Sequence, residues 1–324
     1  MRVRFWGTRG SLPAPLTSRE VRRKLTRALE GAIARGIDSA DKIQDYLDRE
    51  LDFSASHTFG GNSPCVELIP GRAEFPGSAE FVVCDMGSGA RPFGNHVMAA
   101  ARGGPPVVNV FMSHMHWDHI MGFPFFAPAY TPGARIRIHG CHDTLEQAFR
   151  LQQSAPVFPV DFDALRATIE FVHLAPDIWH DIAGLRVKAM RQHHSGDSYG
   201  YRFERGGRSV VYSTDSEHKL EDPAEAAAFA DFFHAADLVI FDAMYSLLDA
   251  ISVKEDWGHS SNVVAVELAQ LARVKHLCLF HHEPAFDDEQ IEGILRETIR
   301  LEQLTRTDHA VQVSAAWDGL EIDL

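Results

Sequence analysis

A chain of 324 residues with 45% hydrophobic content can bury a large core, so one big αβ domain and two ordinary ones are both allowed. Its formal net charge of −14 disfavours the broad phosphate-tracking surface of nucleic-acid binders and favours a small or locally held substrate. The opening MRVRFWGTRGS is not an apolar signal segment and no uncharged apolar run approaches bilayer-spanning length, so a cytoplasmic protein with no membrane partner is expected.

In chain order, an apolar strand at 3–6 is followed by a stretch of different character. Between Pro15 and Thr58, Val21, Leu25, Leu29 and Ile33, then Ile43, Tyr46, Leu47 and Leu51, fall at helical spacing among many charges. This predicts a helical hairpin, with Gly36 at the turn and Asp38-Ser39 capping the second helix. Two readings stand for it: a packed surface ornament, or a lid or homodimer arm. Strands are predicted at 65–69, 81–84, 107–112, 135–138 and 168–172, with helices at 92–102 and 144–153. A second series of strands follows at 185–190, 199–203, 210–213, 238–241, 276–280 and 311–313, with helices at 260–273 and 287–304. Ser-, Gly- or Pro-rich linkers are lacking, so residues 1–324 are read as one domain carrying an insertion at about 15–58. Cys65, Cys84, Cys141 and Cys278 form no CxxC pair and read as reduced core thiols.

The chemistry concentrates at strand ends. The strand at 107–112 runs directly into Ser113-His114-Met115-His116-Trp117-Asp118-His119. Imidazole nitrogen and carboxylate oxygen are donors that zinc, manganese and iron share. A strand-end loop can aim alternate side chains inward, so His114 and His116 can grip one ion while Asp118 and His119 grip another nearby. The aromatic cluster Trp117, Phe123, Phe125, Phe126 and Tyr130 reads first as core packing, with base stacking as the alternative.

His-Met-His-Trp-Asp-His matches the HxHxDH motif, and here the chain resembles the metallo-β-lactamase superfamily. Phe5-Trp6-Gly7-Thr8-Arg9-Gly10-Ser11, Gly60-Gly61-Asn62, Asp85-Met86-Gly87-Ser88-Gly89 and Trp257-Gly258-His259-Ser260 extend the likeness. They resemble the branch containing phosphodiesterases and the tRNA-maturing endonuclease. The resemblance implies a four-layer αβ/βα sandwich and two divalent cations, zinc first, with manganese or iron as alternatives. It places a further ligand on His194 in preference to His193, and a bridging carboxylate on Asp215. The last ligand falls on His281, and strand alternation turns His282 to the opposite face. The implied sets are His114, His116, His194 and Asp215 around one ion, and Asp118, His119, Asp215 and His281 around the other, with a bridging hydroxide as nucleophile. His259 matches the branch's histidine near the leaving group or phosphate. The plainer reading of His259 is a packed residue beside a helix cap on Ser260 or Ser261. Asp85 can orient a ligand imidazole. Asn62 and Tyr245 sit where the family's pocket is lined, and His57 can reach toward it from the insertion.

The expected activity is hydrolysis of a cyclic nucleotide or similar small phosphodiester. A tRNA-processing endonuclease is the nearest rival, set back by the acidic chain and the lack of a long basic Gly/Pro-rich arm. The same fold also supports a lactone or thioester hydrolase, a di-iron oxygen-handling centre and a non-hydrolytic ligand sensor.

Overall fold

Val3 and Phe5 point into the molecule while Arg2 and Arg4 remain half-exposed, the two-residue period of a strand with one wet face. The computed structural model of the protein describes residues 1–70, 80–101, 104–220, 222–244 and 258–324. Its first half runs β1 (Arg2–Gly7), α1 (Ser18–Ala34), α2 (Ala40–Arg49), α3 (Phe53–Ser56), β2 (Cys65–Ile69), β3 (Glu80–Cys84), α4 (Ala90–Ala100), β4 (Val107–Phe111), α5 (Trp117–Ile120), β5 (Arg135–Gly140), α6 (Leu145–Gln152) and β6 (Thr168–His173). The second half runs β7 (Trp179–Ile182), β8 (Leu185–Gln192), β9 (Ser198–Arg205), β10 (Arg208–Ser213), α7 (Pro223–Phe233), β11 (Leu238–Asp242), α8 (Asn262–Leu271), β12 (His276–Phe280), α9 (Asp288–Thr305) and β13 (Gln312–Ala315). A short β14 (Glu321–Asp323) returns to pair with β1.

Among the described residues two seven-stranded sheets result, in the orders β14-β1-β2-β3-β4-β5-β6 and β13-β12-β11-β10-β9-β8-β7. Each has a parallel part, β3 to β6 and β10 to β13, continued by antiparallel strands. The two halves therefore share a layout, although no repeat is visible in the sequence. Strands β4 and β11 are buried almost throughout, as parallel strands covered on both faces must be. One apolar cluster, with Phe5, Phe111, Tyr201, Phe203 and Phe280, fills the space between the sheets. A second packs Phe93, Val97 and Phe149 from α4 and α6 against the outer face of the first sheet. A third packs Phe229, Phe233, Leu268 and Ile291 from α7, α8 and α9 against the second. The order helix, sheet, sheet, helix gives the four-layer αβ/βα sandwich of the metallo-β-lactamase fold. All four cysteines are free and buried.

The helical hairpin is present as α1 and α2, with Gly36 in the left-handed conformation at φ 65°. Its capping differs from expectation. Ser39 occupies the N-cap position of α2 without a side-chain cap, while Thr17 and Glu20 close a reciprocal capping box at the start of α1. Helix α7 and the edge strands β7 and β14 were not expected from the sequence.

One buried acid on this scaffold makes stability pH-dependent. Burial pushes the Glu67 carboxyl up to about 7, against the lowering effects of the Trp6 indole N–H, which donates to it at 3.0 Å, and of Arg4. A carboxyl raised in the folded state stabilises the fold fully below its ordinary value and loses that contribution as pH rises through about 7. Glu67→Gln keeps an acceptor for Trp6 and removes the titration. Its stability relative to wild type should therefore rise by up to about 3 kcal/mol between pH 5 and pH 8. Urea unfolding at the two pH values measures this, and a pH-independent difference refutes it.

Candidate metal centre

The site lies where β3, β4, β10, β11 and β12 end, so its side chains leave a rigid core together. At three of these ends the backbone turns into the left-handed region: φ is 58° at Asp85, 34° at Asp215 and 59° at His281. Non-glycine residues rarely adopt it, at a cost of about 1 to 3 kcal/mol each. The surrounding core supplies the rigidity that holds them.

The donors form two adjoining groups, and His259 makes a third with Asp215 and His281. His114, His116, His194 and Asp215 bring one ligand atom each within 4.8 Å of one another, as do Asp118, His119 and His281. Asp215 joins them, because its two oxygens divide between the groups. Oδ1 lies 3.1 Å from His119 Nε2 and 3.2 Å from His281 Nε2, whereas Oδ2 lies 3.6 Å from His194 Nε2 and 3.7 Å from His114 Nε2. Asp118 Oδ2 sits 3.2 Å from His119 Nε2 and 3.4 Å from His281 Nε2, and accepts the Ser11 backbone N–H at 2.9 Å.

Acceptors behind the rings decide which nitrogens face inward. His119 Nδ1 donates to Asp85 at 2.7 Å, and His194 Nδ1 donates to the Gly258 carbonyl at 2.7 Å. The Ser113 hydroxyl gives its one proton to Asp85, so at 3.0 Å it accepts from His114 Nδ1. Among the described residues His114 Nε2 is left as a buried nitrogen without a hydrogen-bond partner. Nitrogen also meets nitrogen: His116 Nδ1 is 3.0 Å from His194 Nε2, and His119 Nε2 is 3.4 Å from His281 Nε2. Imidazole nitrogens and carboxylate oxygens converging on one another, with the outer N–H groups of His114, His119 and His194 anchored, are a donor set suited to divalent cations.

The electrostatics follow from the same packing. Burial and the neighbouring His119 hold His114 well below the usual imidazole range, so its inward nitrogen carries no proton. Burial opposes charge on His119 as well, yet Asp215, Asp118 and Asp85 hold it well above that range. Burial would raise Asp215 and Asp118, but the surrounding histidines hold both carboxylates well below their ordinary values.

Two glycines permit the close approach. A Cβ on Gly10 would lie 2.6 Å from the His281 ring. One on Gly258, which has φ of 80°, would lie 2.5 Å from His194 Nδ1.

His259 lies in this cluster, its ring stacked 5.2 Å from His281 and tilted 5.0 Å from His194. The helix cap expected beside it is present on Ser261. His259 Nδ1 donates to Asp242 Oδ2 at 2.8 Å. Burial would lower this imidazole, but Asp242, with Asp215 and Asp118 behind it, raises it to about 9.

Asp242 escaped the sequence reading, although it ends the strand at 238–241 much as Asp215 follows the strand at 210–213. Asp318 was also missed. It accepts from the backbone N–H groups of Gly61 and Asn62, from the Asn62 side chain and from Thr8, fastening the glycine loop to β1.

Several weaker candidates fall elsewhere. Asn62 does not line the centre: its amide donates to Asp318 and accepts from Ser88, so its role is to hold the loop. His282 is buried on the other side of the chain, where Nε2 donates to the Ala316 carbonyl. The reason is not simple alternation, since the positive φ at His281 ends the strand first. His193 is exposed and 3.2 Å from Glu225. It lines an open cleft of about 470 Å³ beside His194 with Arg191, Lys219 and Gly258. Asp85 accepts from Ser113, His119 and Tyr212, which is the orienting arrangement expected. His57 stacks on Phe53 instead of entering the site. Tyr245 lies outside the described residues. Phe123 and Phe126 are core residues, but Trp117 and Phe125 are 61% and 59% exposed, so packing does not account for them.

Comparison with known proteins identifies the family and the fold. The family model described as β-lactamase superfamily domain matches residues 82–282. Ribonuclease Z of Oceanobacillus iheyensis is 21% identical over 245 residues, covering 60% of this chain and 77% of that protein. The metallo-β-lactamase fold protein YhfI from Bacillus subtilis superposes with a TM-score of 0.62 at 15% identity, covering 99% of this chain and 98% of that one. A diphosphatase from the PhnP family superposes with a TM-score of 0.58 at 19% identity, covering 100% and 97%. With the family match spanning more than half the chain and the two sheets meeting at a histidine and aspartate centre, the chain belongs to the β-lactamase superfamily and is a metallo-β-lactamase-fold hydrolase.

Proposed function

We propose that this chain is a dinuclear metal-dependent phosphodiesterase acting on a cyclic nucleotide or similar small phosphodiester. The observation that carries the reading is the division of the Asp215 oxygens between two groups of inward-facing imidazole nitrogens. His114, His116, His194 and Asp215 would hold one cation, and Asp118, His119, His281 and Asp215 the other, with zinc the first choice and manganese or iron the alternatives. Two such cations supply Lewis acidity, acidifying the attacking water and offsetting charge that grows on phosphoryl oxygens. The protein's own contribution is positional. Asp85, Ser113 and the Gly258 carbonyl fix the rings of His119, His114 and His194, and the Ser11 N–H fixes Asp118. His259, held by Asp242, supplies a protonated imidazole at the edge of the centre, suited to giving its proton to a leaving alkoxide. On the neighbouring cleft Arg191 pairs with Asp197 and Lys219 with Glu217, so its charge is balanced and its size is what bears on the substrate: about 470 Å³ suits a small one.

A tRNA-processing endonuclease is the second reading, favoured by the sequence likeness to ribonuclease Z. The screen that separates them compares bis(p-nitrophenyl) phosphate, cyclic mononucleotides and cyclic dinucleotides with a precursor tRNA, a lactone and a thioester. Chelation should abolish turnover of the small diesters, and zinc or manganese should restore it. Lactone hydrolysis without diesterase activity rejects the proposal, and preference for precursor tRNA over every small diester transfers it to the endonuclease.

A further inference from the structure

Helix α1 is docked with its faces reversed. Its 17 residues include none that is buried. The side turned to the body of the protein is polar: Arg23 pairs with Asp287, Lys24 with Asp288, and Arg27 with Glu289 and Asp52. The opposite side is an apolar stripe at intervals of four residues, with Val21 43%, Leu25 59%, Leu29 64% and Ile33 80% exposed. Ile43 of α2, 48% exposed, adds to it. Helix α2 is fastened to α1 by Tyr46, whose hydroxyl donates to the Ala28 carbonyl at 3.2 Å, and by a 2.7 Å ion pair between Arg35 and Glu50. An amphipathic helix normally turns its stripe inward, so a stripe facing out marks a surface to be covered.

The charges name the occupant. From Arg19 to Arg35 the chain carries six cations and two carboxylates, and from Asp38 to Asp52 it carries six carboxylates and two cations. The arm is thus a basic helix joined to an acidic one of equal and opposite charge. We infer that the occupant is a second copy of this chain. Two arms related by a two-fold axis form a four-helix bundle in which each α1 lies beside the partner copy's α2 and the stripes meet in the middle. Arg19 and Arg22 flank the stripe on α1, and Asp41, Asp45 and Asp48 lie on α2, so opposite charges meet across the axis in both directions. An anionic membrane would attract α1 but repel α2, and a nucleic acid offers nothing to cover the leucines.

Sedimentation velocity on the full chain tests this independently of any catalytic activity. Wild type at about 1 to 50 µM should sediment at twice the 36.1 kDa chain mass. Leu25→Asp combined with Leu29→Asp should weaken association at least about a hundredfold and give the monomer mass, with an unchanged circular dichroism spectrum because both side chains are solvent-exposed in the single chain. A wild-type monomer throughout this range overturns the inference, as does a double variant that remains dimeric. A monomer that co-sediments with phosphatidylserine and phosphatidylcholine vesicles through the same leucines overturns it in favour of a membrane.

Discussion

Asp215→Asn is expected to lower diester hydrolysis by at least about a thousandfold and to reduce bound metal below two ions per chain. Asparagine preserves size but replaces one oxygen with an N–H₂ donor. Whichever way the amide turns, that donor faces imidazole nitrogens: those of His119 and His281 on one side, or those of His114 and His194 on the other. One group of donors therefore loses its shared carboxylate oxygen, and the charge that balances the buried histidines is lost with it. Metal analysis of the purified variant, read beside its turnover, separates this from simple unfolding. A variant that retains two ions and full activity would sink the shared-carboxylate reading.

His259→Ala should produce the next largest loss, and its size should depend on the leaving group. A positioned acid is worth about a hundred- to ten-thousandfold when the departing oxygen needs a proton, as a nucleoside or alkyl oxygen does. With p-nitrophenolate, which leaves unprotonated, the loss should stay within about tenfold. Asp242→Asn should reproduce part of the same selectivity, because the Asp242 carboxylate holds the His259 ring through a 2.8 Å hydrogen bond. Equal losses for both leaving-group classes would show that His259 does not deliver a proton.

How much of this was legible in the sequence depended on whether a property was local. Alternation and β-branched runs marked most of the strands, with 65–69 and 276–280 correct to the residue. Helix α7 went unseen, though Asp222-Pro223 is a capped start: the Asp222 side chain accepts from Ala224 and Glu225. The edge strands β7 and β14 are short, and their pairing partners define them more than their own residues do. Within HxHxDH the spacing alone pointed to metal ligands, since four donor side chains leave one strand end together.

The distant members and the sharing of Asp215 were legible only through resemblance, and the partners of His259 and of the glycine loop were not legible at all. Nothing in the residues near Asp242 says that His259, 17 positions later, will bond to it, nor does Asp318 announce that it holds a loop 256 residues earlier. Sequence determined which donors exist and on which strand ends they stand, because periodicity and side-chain chemistry are local. Tertiary structure decided that Asp242 would hold the His259 ring, that Asp318 would fasten the glycine loop, and that α1 would present its leucines to solvent. Those outcomes are set by which backbones pack together and which buried groups must find partners, and a buried group's partner is chosen in space.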